Sequence, residues 1–321
     1  MSTEEPTQTE STTEQTVQPR QSRRSPSVLK RILYILRTDR TALTGALIVG
    51  SLFIIAAFAT IDKYIFHSRL IQMLLYDPQK ISATSKFARP FGTHPLGADQ
   101  LGRDVLARLI YGARVSLQVA LLAVSISATL GTFFGAIAGY VGGRVDDIIM
   151  RVVDSLMAFP GIILAIAIAG LLGPSIYNVV IALSVQGWVA YARLIRGEVL
   201  SVREMDYVKA AQGMGASRID ILISDILPNS IYPIIVQATL SLGTMIIAEA
   251  GLSFLGLGPQ NAPSWGRMLS TGQTYIDTAW WLSLFPGIAI FITVMGFNLL
   301  GDALRDVLDP RESTGDTRRS I

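Results

Sequence analysis

The sequence predicts an all-α polytopic membrane protein with six transmembrane helices, and two observations carry that reading. Half of the 321 residues are hydrophobic and only 16% are charged, whereas soluble domains carry roughly 25% charge; the mean hydropathy is +0.45. Five intervals, 41–61, 115–143, 155–192, 226–248 and 278–301, contain no Asp, Glu, Lys or Arg. A span needs roughly 20 apolar residues. The 155–192 interval would make one helix of about 57 Å at 1.5 Å per residue, nearly twice the hydrocarbon thickness. Leu172-Gly173-Pro174 is a natural turn near its middle, so it divides in two. The predicted spans are therefore 42–61, 117–140, 155–172, 176–194, 230–249 and 280–301. An even count puts both termini on one side.

In chain order, residues 1–27 are rich in Thr, Glu, Gln, Ser and Pro, bury too little apolar surface to offset ordering, and read as a disordered tail. No apolar stretch follows a short basic start, so this is not a secretory signal. A basic run (Arg20, Arg23, Arg24, Lys30, Arg31) leads into a segment 28–62 that ends with the first span. A loop 63–114 follows, then a five-helix core over 115–304 that contains a polar loop at 196–229, then a tail 305–321. Orientation follows from Lys and Arg. With the termini inside, the inner segments hold Arg20 through Arg40, Arg144 and Arg151, five basic residues from Arg193 to Arg218, and Arg305 through Arg319. The outer loop 250–279 holds only Arg267, while 62–114 holds eight basic residues but is long enough for the rule to weaken. Both termini are thus expected in the cytoplasm.

Within the spans, Gly131, Gly135, Gly139 and Gly143 recur every four residues and line one helix face for close packing. Pro160-Gly161, Pro233 and Pro286-Gly287 mark kinks. Ionisable residues are absent from the span cores, although ion-coupled transporters carry them there. Asp154, Glu249 and Asp302 sit at span ends and read as interfacial residues paired with water or with Arg151 and Arg305. The cluster Asp146, Asp147 and Asp154 reads as a solvated loop. No cysteine and only two histidines, His67 and His94, are present, so no metal or catalytic constellation is expected and no nucleic-acid partner is indicated. There is also no phosphate-cradling G-x-x-x-x-G-K-[ST] run. The chain looks like the channel half of a machine whose motor is a separate polypeptide.

The segment from Asp206 to Pro228 is the main exception to this apolar pattern. Tyr207, Val208, Ala211, Met214 and Ala216 recur near helical spacing, as do Ile219, Leu222, Ile223 and Ile226. Ala210, Ala211, Gly213 and Gly215 leave a surface that a partner can approach closely, and Pro228 ends the segment. Docking of a soluble partner and a helix lying on lipid both fit this pattern.

Lys209-Ala210-Ala211-x-x-x-Gly215, followed after nine residues by Asp225-x-Leu227-Pro228, resembles the EAA motif of permease subunits of ATP-binding-cassette importers. The stretches HPLGADQLGRDVLARLIYGARVSL (94–117) and EAGLSFLGLGPQNAPSWGRML (249–269) resemble the dipeptide/oligopeptide permease family, in its C-type rather than B-type subunit. The resemblance runs from about residue 30 to Arg311. It implies a type I importer permease fold, one N-terminal helix plus a five-helix core, and an ATPase-coupling surface formed by Asp206, Tyr207, Lys209, Ala210, Ala211, Gly215, Ala216, Leu227 and Pro228. It implies as partners a homologous B-type permease, two cytoplasmic ATPases, an extracytoplasmic binding protein and membrane lipid. ATP and Mg would belong to the ATPases, so this chain would hold no cofactor and catalyse nothing. Lys209 stands where the motif has glutamate, and Asp225 replaces an apolar or histidine residue. Close relatives of this fold carry nickel, glutathione, opines or oligosaccharides, so the cargo stays open; a membrane enzyme or scaffold is the alternative from another class.

Overall fold

The computed structural model describes residues 38–67, 69–74 and 81–308. The predicted tail 1–27, the basic run from Arg20 to Arg31 and the last part of the 305–321 segment lie outside them. Asp39 caps helix α1 (Arg40–Tyr64), accepting from the Thr41 amide at 2.8 Å. Near its far end, Asp62 is fully buried and serves the otherwise unpaired first-turn amides of the short helix α2 (Arg69–Leu74). It accepts from Leu70 N at 2.8 Å, Ile71 N at 3.3 Å and Tyr111 Oη at 2.8 Å.

Helix α3 (Val105–Val141) begins twelve residues before the predicted start at 117. Asp104 caps it, accepting from the Ala107 amide at 2.8 Å. Its 37 residues make about 55 Å of helix, so one end stands beyond the hydrocarbon. The arginines that close the charge-free interval are accommodated in that projecting end. Arg108 faces Asp99 at 3.6 Å, and Arg114 lies over the Tyr64 ring at 5.6 Å.

Gly142 and Gly143, with φ of +69° and +55°, end α3 and start helix α4 (Gly143–Met157). A corner at Ala158–Pro160 follows, and helix α5 (Gly161–Leu172) leaves it at 87° to α4. The continuous span expected at 155–172 is thereby corrected. Pro160 has extended ψ of 120° and is the corner itself, not a kink inside a helix. The 12 residues of α5 rise about 18 Å, well short of a roughly 30 Å hydrocarbon core. Helix α6 (Ile176–Arg203), helix α7 (Asp206–Gly213) and a short turn of helix α8 (Arg218–Asp220) follow. Then come helices α9 (Ile231–Phe254), α10 (Trp265–Thr274) and α11 (Trp281–Leu308), the last with Pro286 inside it. Among the described residues, five helical runs are long and apolar enough to cross a membrane, and the bent pair α4–α5 makes a sixth by composition.

Contacts fix which ends lie together. Arg203 Nη1 donates to the Gly139 and Tyr140 carbonyls at 3.1 and 3.3 Å, placing the α6 terminus beside that of α3. At the other end, Trp265 Nε1 reaches the Leu109 carbonyl at 3.0 Å and Trp281 Nε1 the Ala98 carbonyl at 3.2 Å. The first residues of α1 and the last of α11 consequently share an end with the 204–230 segment.

Helices α3 and α6 touch backbone to backbone. A Cβ at Gly131 would stand 2.4 Å from Tyr191 Cβ, one at Gly135 2.4 Å from the Ala192 carbonyl oxygen, and one at Gly139 2.9 Å from the Arg196 oxygen. In lipid there is little hydrophobic force between helices, so such close packing supplies the attraction. Gly143 does not join this stripe: it lies past the helix break, with nothing within 4 Å of its Cβ position.

Candidate docking site

The 204–230 segment is built on a buried core that it shares with α3, α6 and α9. Val208 of α7 is 0% exposed and packs with Val202, Ile221 and Ile226 beneath it, and Ala211 adds to the contact. Burying a valine contributes about 1.5–3 kcal/mol in an aqueous setting. Helix α7 ends in a tight motif: the Ala216 amide donates to the Ala211 carbonyl and the Gly215 amide to the Gln212 carbonyl, at 3.1 and 3.0 Å. Gly215 takes the left-handed position this ending requires, at φ +84°. Ser217 then caps α8, accepting from the Asp220 amide at 3.1 Å while its hydroxyl donates to Asp220 Oδ2 at 2.5 Å.

Beyond α8 the chain widens into a π turn over Ile221–Ile226 and tightens into a 3-10 turn over Pro228–Ser230 before α9. The Leu227 amide reaches back five residues to the Leu222 carbonyl at 2.9 Å. This corrects two expectations. Pro228 does not end the segment, because the π turn upstream relieves the carbonyl that a proline amide cannot serve. The second apolar set is also shifted: Ile221 and Ile226 are buried, five apart, while Ile219 and Ile223 are exposed.

The expected coupling residues divide by burial. Asp206, Tyr207, Lys209, Ala210, Gly215, Ala216 and Pro228 are exposed; Ala211 and Leu227 are half-buried. Met205, Met214, Ile219 and Ile223 add exposed apolar side chains, Met214 at 82%. Lys209 Nζ lies 3.2 Å from Glu204 Oε2, and Arg203 Nε 3.8 Å from Glu204 Oε1. The charge reversal at the motif's glutamate is thus answered within the segment. Sequence reasoning missed Glu204, and it missed Asn229, whose amide donates to Tyr207 Oη at 3.1 Å and to the Asp225 carbonyl at 2.6 Å. Both act through the turn geometry, which no helical spacing reveals.

Helix α4 flanks this site and is clamped to α6. Asp146 accepts from Arg196 Nε and Nη2 at 2.5 and 2.6 Å, and Asp154 from Arg193 Nη2 at 2.7 Å. Arg193, not Arg151, is the partner of Asp154, because the corner at Pro160 lays α4 across α6. Among the described residues no group of three or more His, Asp or Glu is placed to hold a metal ion.

At the opposite end, the two motif stretches 94–117 and 249–269 come together as a cap. Glu249 is fully buried and accepts from Ser116 Oγ at 2.8 Å and Ser253 Oγ at 2.7 Å. It is therefore a tie between α3 and α9, not an interfacial residue facing water or an arginine. His94 Nδ1 lies 2.9 Å from Asp104 Oδ2, beside the α3 cap.

Such a bundle, with an exposed helical hairpin at one end and a polar cap at the other, defines a multi-pass membrane protein of the transport-permease class. The chain belongs to the family of binding-protein-dependent transport system inner membrane components, which matches residues 131–314. It is 43% identical over 277 residues to the dipeptide transport system permease protein of Alkalihalophilus pseudofirmus, covering 86% of this chain and 88% of that one. It is 36% identical to the probable D,D-dipeptide transport system permease protein of Escherichia coli, covering 88% and 91%. It is 45% identical over 223 residues to the glutathione transport system permease protein of Pectobacterium atrosepticum, covering 69% and 74%. The resemblance read from the three motifs is borne out, and the family is one of transport permeases, not of enzymes.

Proposed function

We propose that this chain is the C-type permease of an ATP-driven importer of dipeptides or oligopeptides, with both termini in the cytoplasm. Helix α7 and the turn to α8 would seat in a groove of a cytoplasmic ATPase, one of two that hold ATP and Mg. A homologous B-type permease would complete the pathway, and an extracytoplasmic binding protein would deliver cargo to the cap. The observation that carries this reading is the surface over residues 204–220. Its apolar and small side chains are exposed, yet its backbone is fixed by Val208, Ile221 and Ile226 against the ends of α6 and α9. A surface so firmly held and so little covered fits a rigid docking element better than a helix resting on lipid. Glutathione is a second cargo supported by the Pectobacterium relative.

Two experiments test the reading. Purification through a tag in mild detergent is expected to recover a second permease and one or two P-loop ATPases, identified by mass spectrometry. Recovery of the chain alone, under conditions that keep other transporters intact, would refute the assembly. The sequence holds no cysteine, so Gly213→Cys gives a single thiol on the exposed end of α7. Labelling from the cytoplasmic side alone is expected; labelling from outside would overturn the orientation and the docking claim together.

A further inference from the structure

Helix α4 lies across the bundle at the edge of the membrane. Its neighbour α5 follows α6 in the opposite direction: a Cβ at Gly161 would stand 2.9 Å from Gln186 Cγ, and Ala165 and Ala169 pack with Val179, Val180 and Leu183. Helix α5 therefore runs along the bundle axis, and α4, at 87° to it, runs in the plane of the membrane. Its depth follows from α6. A hydrocarbon core of roughly 30 Å takes about 20 residues of helix, which from Ile176 reaches about residue 195. Arg193 and Arg196, the first charged residues of α6, stand at that boundary, and they hold Asp154 and Asp146 of α4.

The sides of α4 differ in character. Val153 is fully buried and packs with Val189 and Ala192 of α6. Val145, Ile148 and Val152, spaced by three and four, share one exposed stripe at 39, 66 and 49%. Arg144, Asp147 and Arg151 form the adjoining exposed stripe, which Asp154 continues. Neither arginine enters any of the ion pairs among the described residues. With the exposed Arg193–Asp154 pair included, three guanidinium groups meet the two carboxylates of Asp147 and Asp154, an excess of one positive charge. The core of a protein–protein contact is depleted of charge, whereas here arginine adjoins exposed aliphatic side chains at the depth where acyl chains give way to phosphates. That is the face of a helix lying in the interface plane, and guanidinium forks match phosphate oxygens. We propose that α4 is a lipid-binding helix: Val145, Ile148 and Val152 enter the acyl region, and Arg144 and Arg151 hold the phosphates of anionic phospholipids in the leaflet on the docking-segment side. The inference rests on the multi-pass fold, and neither the cargo nor the orientation enters it.

The test uses the assembled transporter in nanodiscs. This chain has no cysteine, so with the other subunits made cysteine-free, Ile148→Cys gives a single site for a bimane label. Bromine carried on the acyl chains is expected to quench that label strongly, and aqueous iodide hardly at all. Quenching by iodide instead would put this face in water, and quenching by neither would put a protein surface over it; either result overturns the proposal. The headgroup contact is read by diluting brominated phosphatidylglycerol, and separately brominated phosphatidylcholine, into unbrominated phosphatidylcholine. Phosphatidylglycerol is expected to occupy the site about fivefold more readily, the effect of one excess charge near an anionic surface. Changing Arg144→Gln and Arg151→Gln together is expected to bring the two lipids level. Equal quenching by the two lipids with both arginines in place would overturn the arginine–phosphate contact, as would a preference that survives their removal. The acyl-chain, iodide and lipid-preference readings all precede that double change, so they decide the proposal even if the double variant fails to fold.

Discussion

Val208→Ala isolates the anchoring of the docking segment from its surface chemistry. The valine is 0% exposed among Val202, Ile221 and Ile226, so truncation changes nothing a partner would touch. Removing two carbons costs about 1.6 kcal/mol of transfer at roughly 0.8 kcal/mol each, and the void left behind brings the total to about 2 kcal/mol. At about 1.4 kcal/mol per factor of ten, the unseated form of α7 should become roughly thirtyfold more populated. Hydrogen–deuterium exchange of the chain in nanodiscs reads this directly. Amides of residues 208–214 are expected to exchange about thirtyfold faster, while those of the α3–α6 contact stay unchanged. Met214→Ala, at a side chain 82% exposed, is the matching control: exchange unaffected, ATPase association weakened. Unchanged exchange in Val208→Ala would refute the idea that this core holds the segment.

Three further outcomes follow from the geometry. Gly215→Ala forces a side chain into φ +84° at a cost of about 1–2 kcal/mol, so exchange near residues 211–216 should rise; Gly215→Asn, which tolerates that region better, should rise less. Lys209→Glu sets a second acidic group beside Glu204, but with both side chains more than half exposed the effect on melting should stay within about 1 kcal/mol, so a loss of ATPase co-purification would report on docking itself, and no loss would argue that Lys209 lies outside the interface. Gly135→Leu drives a side chain into the Ala192 carbonyl, 2.4 Å from its Cβ position, and should lower the melting temperature and promote aggregation in detergent; a normally melting variant would mean that α3 and α6 part more easily than their packing indicates.

Much of this architecture was legible in the charge-free intervals, and the departures have local causes. The start of α3 was missed because Arg108 and Arg114 close an interval by charge, whereas the folded chain answers them with Asp99 and Tyr64. The third span was misread because an uninterrupted apolar run cannot show a corner. Pro160 was visible, but whether a proline kinks a helix or ends it depends on what packs beyond, here α4 clamped across α6 through Arg193 and Arg196. In the docking segment, Tyr207, Val208 and Ala211 fall on α7, but Met214 and Ala216 of the same set lie past its end at Gly213. The spacing of Ile219, Leu222, Ile223 and Ile226 failed because a π turn sets neighbours five residues apart. Glu249 was misplaced for the opposite reason to Arg108. Its position at a span end suggested water, but Ser116, 133 residues earlier, closes over it, and no local pattern carries that contact.

The construction of the docking segment bears on how force would pass through it. Helix α7 has eight residues and α8 three, too few for either to be stable alone in water. Their order is borrowed from Val202 at the end of α6 and from Ile221 and Ile226 on the approach to α9. A partner that pulls on this surface therefore cannot bend it as a loop without first exposing that core. Displacement passes instead to α6 and α9. Because Gly131, Gly135 and Gly139 bring α3 against the α6 backbone with no side chain between to shear, and because Arg203 holds the α3 terminus by its carbonyls, α3 must follow α6. The far end of α3 carries Arg108 and the Glu249 tie. A rigid lever of about 55 Å thus joins the docking surface to the cap, so that a motion imposed at one end changes the other without an intervening flexible step.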